Sequence, residues 1–139
     1  MKKIRFSSLF AVFLLTLAIS SCDPENDQTA TPTSNDAREK FHGNWAVAEN
    51  SKDYGSATYY CTIVDSSLAP YISIAYLYGF NKKIYSSVSA SSIVIPTQTV
   101  EGNNVYGNAT LINDTKINLI YYIQTTTSHF DTVTAVLTK

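Results

Sequence analysis

The sequence predicts an all-β domain built as an eight-stranded antiparallel meander closed into a barrel, with a β-sandwich as the alternative. From Trp45 onward, apolar residues recur at every second position, which is the period of a half-buried strand and not of a helix. The connections between these runs are short and rich in Gly, Asn, Asp and Ser, so neighbouring strands should pair antiparallel. Closing the first strand onto the last would then remove the free edges of the meander.

Eight runs of alternating residues carry this prediction, and Val, Ile, Thr and Tyr dominate them, as expected for pleated surfaces. The third run should continue through Tyr78, and Pro96 should stop the fifth. The runs span residues 45–48, 59–63, 72–78, 85–89, 93–95, 105–109, 117–123 and 132–138.

Composition limits the function classes. A chain of 139 residues with 45% hydrophobic residues is long enough for one folded domain and too apolar for general disorder. The net charge of −1 provides no basic excess to neutralise phosphates, which argues against nucleic-acid binding. Two cysteines are too few for a disulfide scaffold or a zinc ribbon.

The first segment has the pattern of an export signal. Lys2, Lys3 and Arg5 precede an uncharged stretch at 6–21 that is too short for a membrane-spanning helix. We therefore predict a signal peptide over residues 1–21.

The end of this segment, Leu-Ala-Ile-Ser-Ser-Cys at 17–22, resembles a bacterial lipobox. The resemblance implies cleavage before Cys22 and acylation of Cys22 by chains such as palmitate, which would attach the mature protein to a membrane. Two or three acyl chains are enough for stable anchoring.

Residues 22–35 are predicted to form a flexible tether behind the lipidated cysteine. After Cys22 the segment contains no aromatic residue and no Val, Ile or Leu, so it cannot offset its ordering entropy by burial. Its acids Asp23, Glu25 and Asp27 resemble the export signals of Bacteroidota surface lipoproteins; a merely soluble linker is the alternative. The barrel domain should occupy residues 36–139 and begin with a helical turn that Asn35 or Asp36 caps.

The opening of the domain, Phe41-x-Gly43-x-Trp45, resembles the Gly-x-Trp signature of lipocalins. The resemblance implies that Trp45 closes one barrel end beneath a basic side chain of the final strand, for which Lys139 is the candidate. With the blocks at 92–98 and 105–109, the mature chain resembles small lipocalin-like (calycin-type) lipoproteins of Bacteroidota. This implies a lipocalin-like barrel anchored in the outer membrane of the cell envelope, on its periplasmic or its surface side.

Local motifs indicate no catalytic, metal or cofactor site, so we predict that the protein is not an enzyme. The histidines, His42 and His129, belong to no HxH or HExxH array, and no Gly-x-Ser-x-Gly elbow occurs. Cys61 lies in phase with Tyr59 and Ile63, as a small buried hydrophobic residue would.

The ten tyrosines suggest a ligand site, because tyrosine combines a stacking face with a hydroxyl. Tyr59, Tyr76, Tyr85 and Tyr121 are the candidates; the alternative is that tyrosine simply fills the sheet. We therefore expect a membrane-anchored protein that binds a small ligand without catalysis. The alternatives are a structural or accessory envelope lipoprotein with a side-chain-filled barrel and, third, a small hydrolase. No protein partner is indicated.

Overall fold

The computed structural model describes residues 36–126 and 128–139, which form a closed barrel of eight antiparallel strands in sequence order. The predicted meander barrel is confirmed, and closure excludes the β-sandwich. The predicted signal peptide, Cys22 and the tether at 22–35 lie outside the described residues. The strands are β1 (Gly43–Ser51), β2 (Gly55–Asp65), β3 (Tyr71–Ala75), β4 (Ile84–Ser89), β5 (Ser92–Val100), β6 (Asn103–Asn113), β7 (Lys116–Gln124) and β8 (Phe130–Thr138).

Strand β1 closes the barrel because it pairs on both of its edges. It runs antiparallel to β2 from the pair Gly43–Ile63 to the pair Ser51–Gly55. On its other edge it pairs with β8 from Ala46–Thr138 to Ser51–Val133. No strand among the described residues therefore ends the sheet as an unpaired edge.

The alternation along each strand sends one set of side chains into the barrel. The interior is mainly aliphatic, with a few large aromatic rings and five buried polar residues. The largest fully buried side chains are Trp45, Tyr121, Phe41, Ile63, Ile72, Ile74, Leu77, Ile84, Ile93, Ile95, Ile117 and Ile123.

The third run does not continue through Tyr78 as predicted. Strand β3 ends at Ala75, and a 3₁₀ turn follows at Leu77–Gly79. The backbone of Tyr76 and Tyr78 is left-handed, with φ of 66° and 56°, and such residues cannot extend a pleated ladder. This segment instead turns across one end of the barrel.

Pro96 does not end the fifth strand either. Strand β5 continues to Val100 through a register shift between Ile95 and Gln98 against β6. A bulge tolerates proline because the missing N–H is then not needed by the ladder. Beyond the bulge, the Gln98 amide substitutes for a strand partner of Tyr85: its Oε1 accepts the Tyr85 N–H at 2.9 Å, and its Nε2 donates to the Tyr85 carbonyl at 2.7 Å.

The predicted helical turn before the barrel is present as a 3₁₀ turn at Glu39–Phe41. Asp36 Oδ1 accepts the backbone N–H of Arg38 at 3.0 Å just ahead of it. Phe41 then enters the core and is fully buried.

Within residues 36–126 and 128–139, no helix has the length and apolar character needed to cross a membrane.

Candidate functional site

One end of the barrel, called here the tryptophan end, is plugged by side chains. Trp45 is fully buried, and its Nε1 donates a hydrogen bond to the Phe41 carbonyl at 2.7 Å. The Nζ of Lys139 lies 4.5 Å from the centroid of the Trp45 ring, which is a cation–π distance. Gly43 has φ of +117°, and a Cβ there would lie 3.8 Å from Lys139 Cε. The structure thus brings together the three residues assigned to this end from the sequence.

Ion pairs surround the tryptophan end. The Arg38 guanidinium bonds the Asp36 carboxylate and holds the pKa of that carboxyl at about 2. Asp65 lies 3.3 Å from Arg38 Nε and 2.6 Å from His42 Nε2. In the part of the chain that the structure describes, no group of three or more side chains has the character of a metal site.

A cavity of about 500 Å³ opens at the opposite end, called here the cavity end. The β1–β2 turn and the Leu77–Gly79 segment form part of its lining. Its lining residues combine one carboxylate, three tyrosines and small or aliphatic groups. They are Glu49, Tyr54, Ala57, Tyr59, Tyr78, Gly79, Asn103, Ile123 and Thr125.

Glu49 is the centre of the polar contacts in this cavity. The side chain is 7% exposed, and the hydroxyls of Tyr59 and Tyr121 both donate to its Oε2, the latter at 2.5 Å. The Tyr59 oxygen in turn accepts the backbone N–H of Tyr78 at 2.8 Å. Strands β1, β2 and β7 each supply one inward position, and together these positions fix the carboxylate inside the barrel.

Gly107 makes room for this arrangement. It is the β6 residue opposite Tyr121, and an added Cβ would lie 2.5 Å from the Ile120 carbonyl oxygen and from Tyr121 Cβ. Because real Cβ atoms do not approach so closely, the close packing of β6 on β7 here requires glycine.

The tyrosine hydroxyls remain protonated donors. Burial, followed by the hydrogen bond to Glu49, raises the pKa of Tyr59 above its ordinary value. Burial, followed by the proximity of Tyr59, raises the pKa of Tyr121. Both phenols are therefore neutral in the physiological range and direct their O–H groups at the carboxylate.

A second buried carboxylate, Asp131, accepts hydrogen bonds from the segments around the cavity mouth. Its Oδ2 accepts the hydroxyls of Ser51 at 2.6 Å and Tyr78 at 2.7 Å, and its Oδ1 accepts the Asp53 N–H at 3.2 Å. Burial raises the pKa of Asp131, but these hydrogen bonds lower it by more, so the pKa lies below its usual value. Asp131 thus fastens the β1–β2 turn and Tyr78 to strand β8.

The ring of Tyr78 organises the aromatic side chains at this end. It makes edge-to-face contacts with Tyr54 at 6.1 Å and with Tyr121 at 6.2 Å, and it packs on Phe80 at 5.5 Å. Tyr54 is 75% exposed at the mouth, whereas Tyr121 lies fully inside the barrel. The rings therefore connect the solvent-facing rim to the interior.

The four tyrosines proposed from the sequence separate into two pairs. Tyr59 and Tyr121 meet at Glu49, whereas Tyr76 and Tyr85 are 58% and 54% exposed. Sequence reasoning did not assign Glu49, Asp131, Tyr54 or Tyr78 to the site. Strand phase was the signal for the two acids, because Glu49 continues the inward series of β1 and Asp131 begins that of β8.

Two further side chains with catalytic potential, His129 and Cys61, lie outside this cluster. His129 Nε2 contacts Asp53 Oδ2 at 2.5 Å beside the cavity end. Burial raises the pKa of the Cys61 thiol to about 12, so this thiol is protonated and a poor nucleophile.

A larger depression of about 680 Å³ lies across the barrel wall formed by β1, β2, β6, β7 and β8. Most of its lining is exposed, including Asn50, Thr58 and Asn118. Glu49 and Ala57 line both spaces. We favour the smaller cavity as the functional site because three tyrosines line it beside the buried carboxylate.

The closed meander defines a small up-and-down β-barrel of eight antiparallel strands. No family model and no curated protein matched the chain. Among solved structures, it is similar to a redesigned beta barrel, b11L5F_LGL, with a TM-score of 0.53 and 15% identity over 75% of this chain and 95% of that one. It is also similar to EF1p2_mFAP2b bound to DFHBI, with a TM-score of 0.52 and 15% identity over 75% and 98% of the respective chains. At this identity the similarity shows the fold alone.

We expect Asp131→Asn to lower the free energy of unfolding at neutral pH by about 1–3 kcal/mol, because it weakens three hydrogen bonds at a buried acceptor. Since the folded-state pKa of Asp131 is depressed, its carboxylate stabilises the fold above about pH 4, and this contribution is lost as the pH falls through the folded-state pKa. The stability difference between wild type and variant should therefore narrow on acidification.

Urea unfolding at several pH values between 7 and about 3 measures this difference. The matched control is Asp114→Asn, which removes an exposed carboxylate in the β6–β7 turn. If the difference in the free energy of unfolding between wild type and Asp131→Asn stayed constant with pH, the stabilising role of the ionised Asp131 carboxylate would be contradicted.

Proposed function

We propose that this chain is a lipid-anchored envelope protein whose barrel binds a small ligand of mixed polarity without catalysing a reaction. The observation that carries the proposal is a cavity of about 500 Å³ lined by a buried carboxylate, Glu49, on which two tyrosine hydroxyls converge. Ligand sites in proteins are commonly concave spaces of about 300–1,000 Å³ with a few placed polar groups. The cavity end meets that description.

The asymmetry of the barrel supports entry from one side. At the tryptophan end, Trp45 and Phe41 fill the interior and Lys139 covers the ring. At the cavity end, Tyr54 and Ala57 are exposed at the mouth while Glu49 lies behind them. The similarity to EF1p2_mFAP2b, whose structure is of the protein bound to DFHBI, supports the binding of a small ligand by a barrel of this fold.

The anchoring part of the proposal rests on the sequence before the barrel. The lipobox-like segment ends at Cys22, and the polar residues 23–35 connect it to the first described residue, Asp36. A tether of this composition would let the barrel stand away from the lipid surface with its cavity accessible.

The side chains with catalytic potential favour binding over hydrolysis. His42 and His129 both direct Nε2 at aspartates, and the Cys61 thiol is kept protonated by burial. A hydrolase would require a histidine placed to activate a hydroxyl or a thiol.

A structural or accessory lipoprotein is the second candidate, and the aliphatic core of the barrel favours it. Ile84, Ile95 and Leu119 are among its many buried aliphatic residues. In this case the cavity end would be a solvent-filled rim without a resident ligand.

Replacing Cys22 by alanine tests the anchor. The variant should lose acylation and move from the membrane fraction to the soluble fraction, because the acyl chains would supply the binding energy. Membrane fractionation and intact-mass measurement provide the readout, and Cys61→Ala serves as the matched cysteine control. Unchanged membrane association of Cys22→Ala would refute lipid anchoring.

Ligand binding is tested by native mass spectrometry of protein purified from the cells that make it. We expect the wild type to retain a small non-lipid adduct and Ala57→Trp to lose it, because an indole at this lining position would occupy the cavity. Thr58→Trp is the matched control, since residue 58 is adjacent on β2 but faces outward. Adduct-free wild type would favour the structural role instead.

A further inference from the structure

We propose that the ligand of the cavity end is an organic cation, an amine or quaternary ammonium group on an apolar or aromatic body, whose charge is held by Glu49. This inference rests on the proposed function, because it assumes that the cavity binds a small ligand. It adds the chemical class of that ligand and assigns the charge-recognising residue.

The two carboxylate oxygens of Glu49 differ in their hydrogen bonding within the described part of the chain. The hydrogen bonds from Tyr59 and Tyr121 both end on Oε2. Among residues 36–126 and 128–139, no hydrogen bond reaches Oε1, although Glu49 lines the cavity and is more than nine-tenths buried. An acceptor with this placement is available to a donor that enters the cavity.

The carboxylate also has no counter-ion among the described residues. The ion pairs that the structure contains there involve Asp36, Asp53 and Asp65, and none involves Glu49. A buried charge without an opposite charge is costly, and the hydroxyls of two tyrosines offset only part of that cost. A cation in the cavity would supply the missing charge.

The rest of the cavity wall adds no positive charge. Of the nine described lining residues, Glu49 is the one acid and none is basic; the others are three tyrosines and small, aliphatic or amide side chains. Lys82 and Lys83 belong to a separate outer depression with Tyr85 and Gln98. An anion would therefore meet an unfavourable potential, and a neutral ligand would leave Glu49 unpaired.

The aromatic side chains suit the same class of ligand. Tyr54, Tyr59 and Tyr78 line the cavity, and the rings of Tyr54 and Tyr78 are nearly perpendicular, at 74°. Walls in different orientations let a cation contact a ring face while the body of the ligand packs against another ring. Ring faces attract cations through the negative potential of the ring, and the attraction is stronger where water is excluded.

Three probes of similar shape and different charge test the proposal by isothermal titration calorimetry on the full chain. They are phenethylammonium, neutral phenethyl alcohol and anionic hydrocinnamate. We expect phenethylammonium to bind about tenfold or more tightly than the alcohol, which corresponds to about 1.4 kcal/mol, and hydrocinnamate to bind most weakly. This comparison uses the wild type and does not depend on whether any variant folds.

Variants then assign the charge to Glu49. Glu49→Gln keeps the size of the side chain, so it should weaken phenethylammonium binding by about tenfold and leave phenethyl alcohol within about twofold. Asp114→Asn is the control, because it makes the same change of net charge at an exposed turn of the tryptophan end. Tyr54→Ala should weaken the cation more than Tyr54→Phe does, since phenylalanine retains the ring face.

The outcomes separate this inference from the proposed function. Equal or tighter binding of phenethyl alcohol, or Glu49→Gln binding phenethylammonium as the wild type does, would overturn the cation assignment and leave a ligand-binding cavity in place. Binding of none of the probes would also overturn the cation assignment. If Ala57→Trp and the wild type were in addition equally free of adducts, the proposed function would fail with it.

Discussion

The pairing of β1 with β8 is the constraint on which the rest of this structure depends. Once these strands join, every strand has a fixed inner and outer face, because side chains alternate strictly along a pleated chain. The same register that places Trp45 in the core at one end places Glu49 inside at the other. Closure therefore positions both the plug and the candidate site.

The two ends of the barrel use aromatic and charged side chains in different ways: one end is filled, and the other contains a cavity. At the tryptophan end the Trp45 ring fills the interior, donates a hydrogen bond to the Phe41 carbonyl and is covered by Lys139. At the cavity end two tyrosine hydroxyls hold the Glu49 carboxylate, and a second carboxylate, Asp131, accepts a hydrogen bond from Tyr78. Burying two acids is tolerable because Glu49 receives two donated hydrogen bonds and Asp131 three, yet Glu49 has no counter-ion among the described residues. This imbalance links the packing of the barrel to the cationic ligand proposed for it.

Period-two patterning and short connections were sufficient to predict the strand number and the meander, because these depend on local sequence. Closure was predicted from the need to remove the two free edges of the meander. The extent of β5 was not predictable from Pro96 alone, since a bulge and the Gln98 side chain preserve pairing beyond it. The site was predicted only in part. Tyr59 and Tyr121 were identified by residue type, but their convergence on Glu49 depends on contacts between strands 10 and 72 residues apart in sequence. The register that brings Tyr59 and Tyr121 to Glu49 could not be read from a single sequence.

Amide hydrogen exchange along the β1–β8 seam, measured residue by residue by NMR, tests the closed barrel and its interior site most directly. The backbone amides of residues 46–51 in β1 and 133–138 in β8 should be protected from exchange, including those directed at the other strand of the seam. Their protection should be comparable to that of the amides in the β6–β7 pair. Fast exchange at every second amide along β1 and β8 would reveal two free edges. That result would contradict closure and, with it, the burial of Glu49 on which the functional account rests.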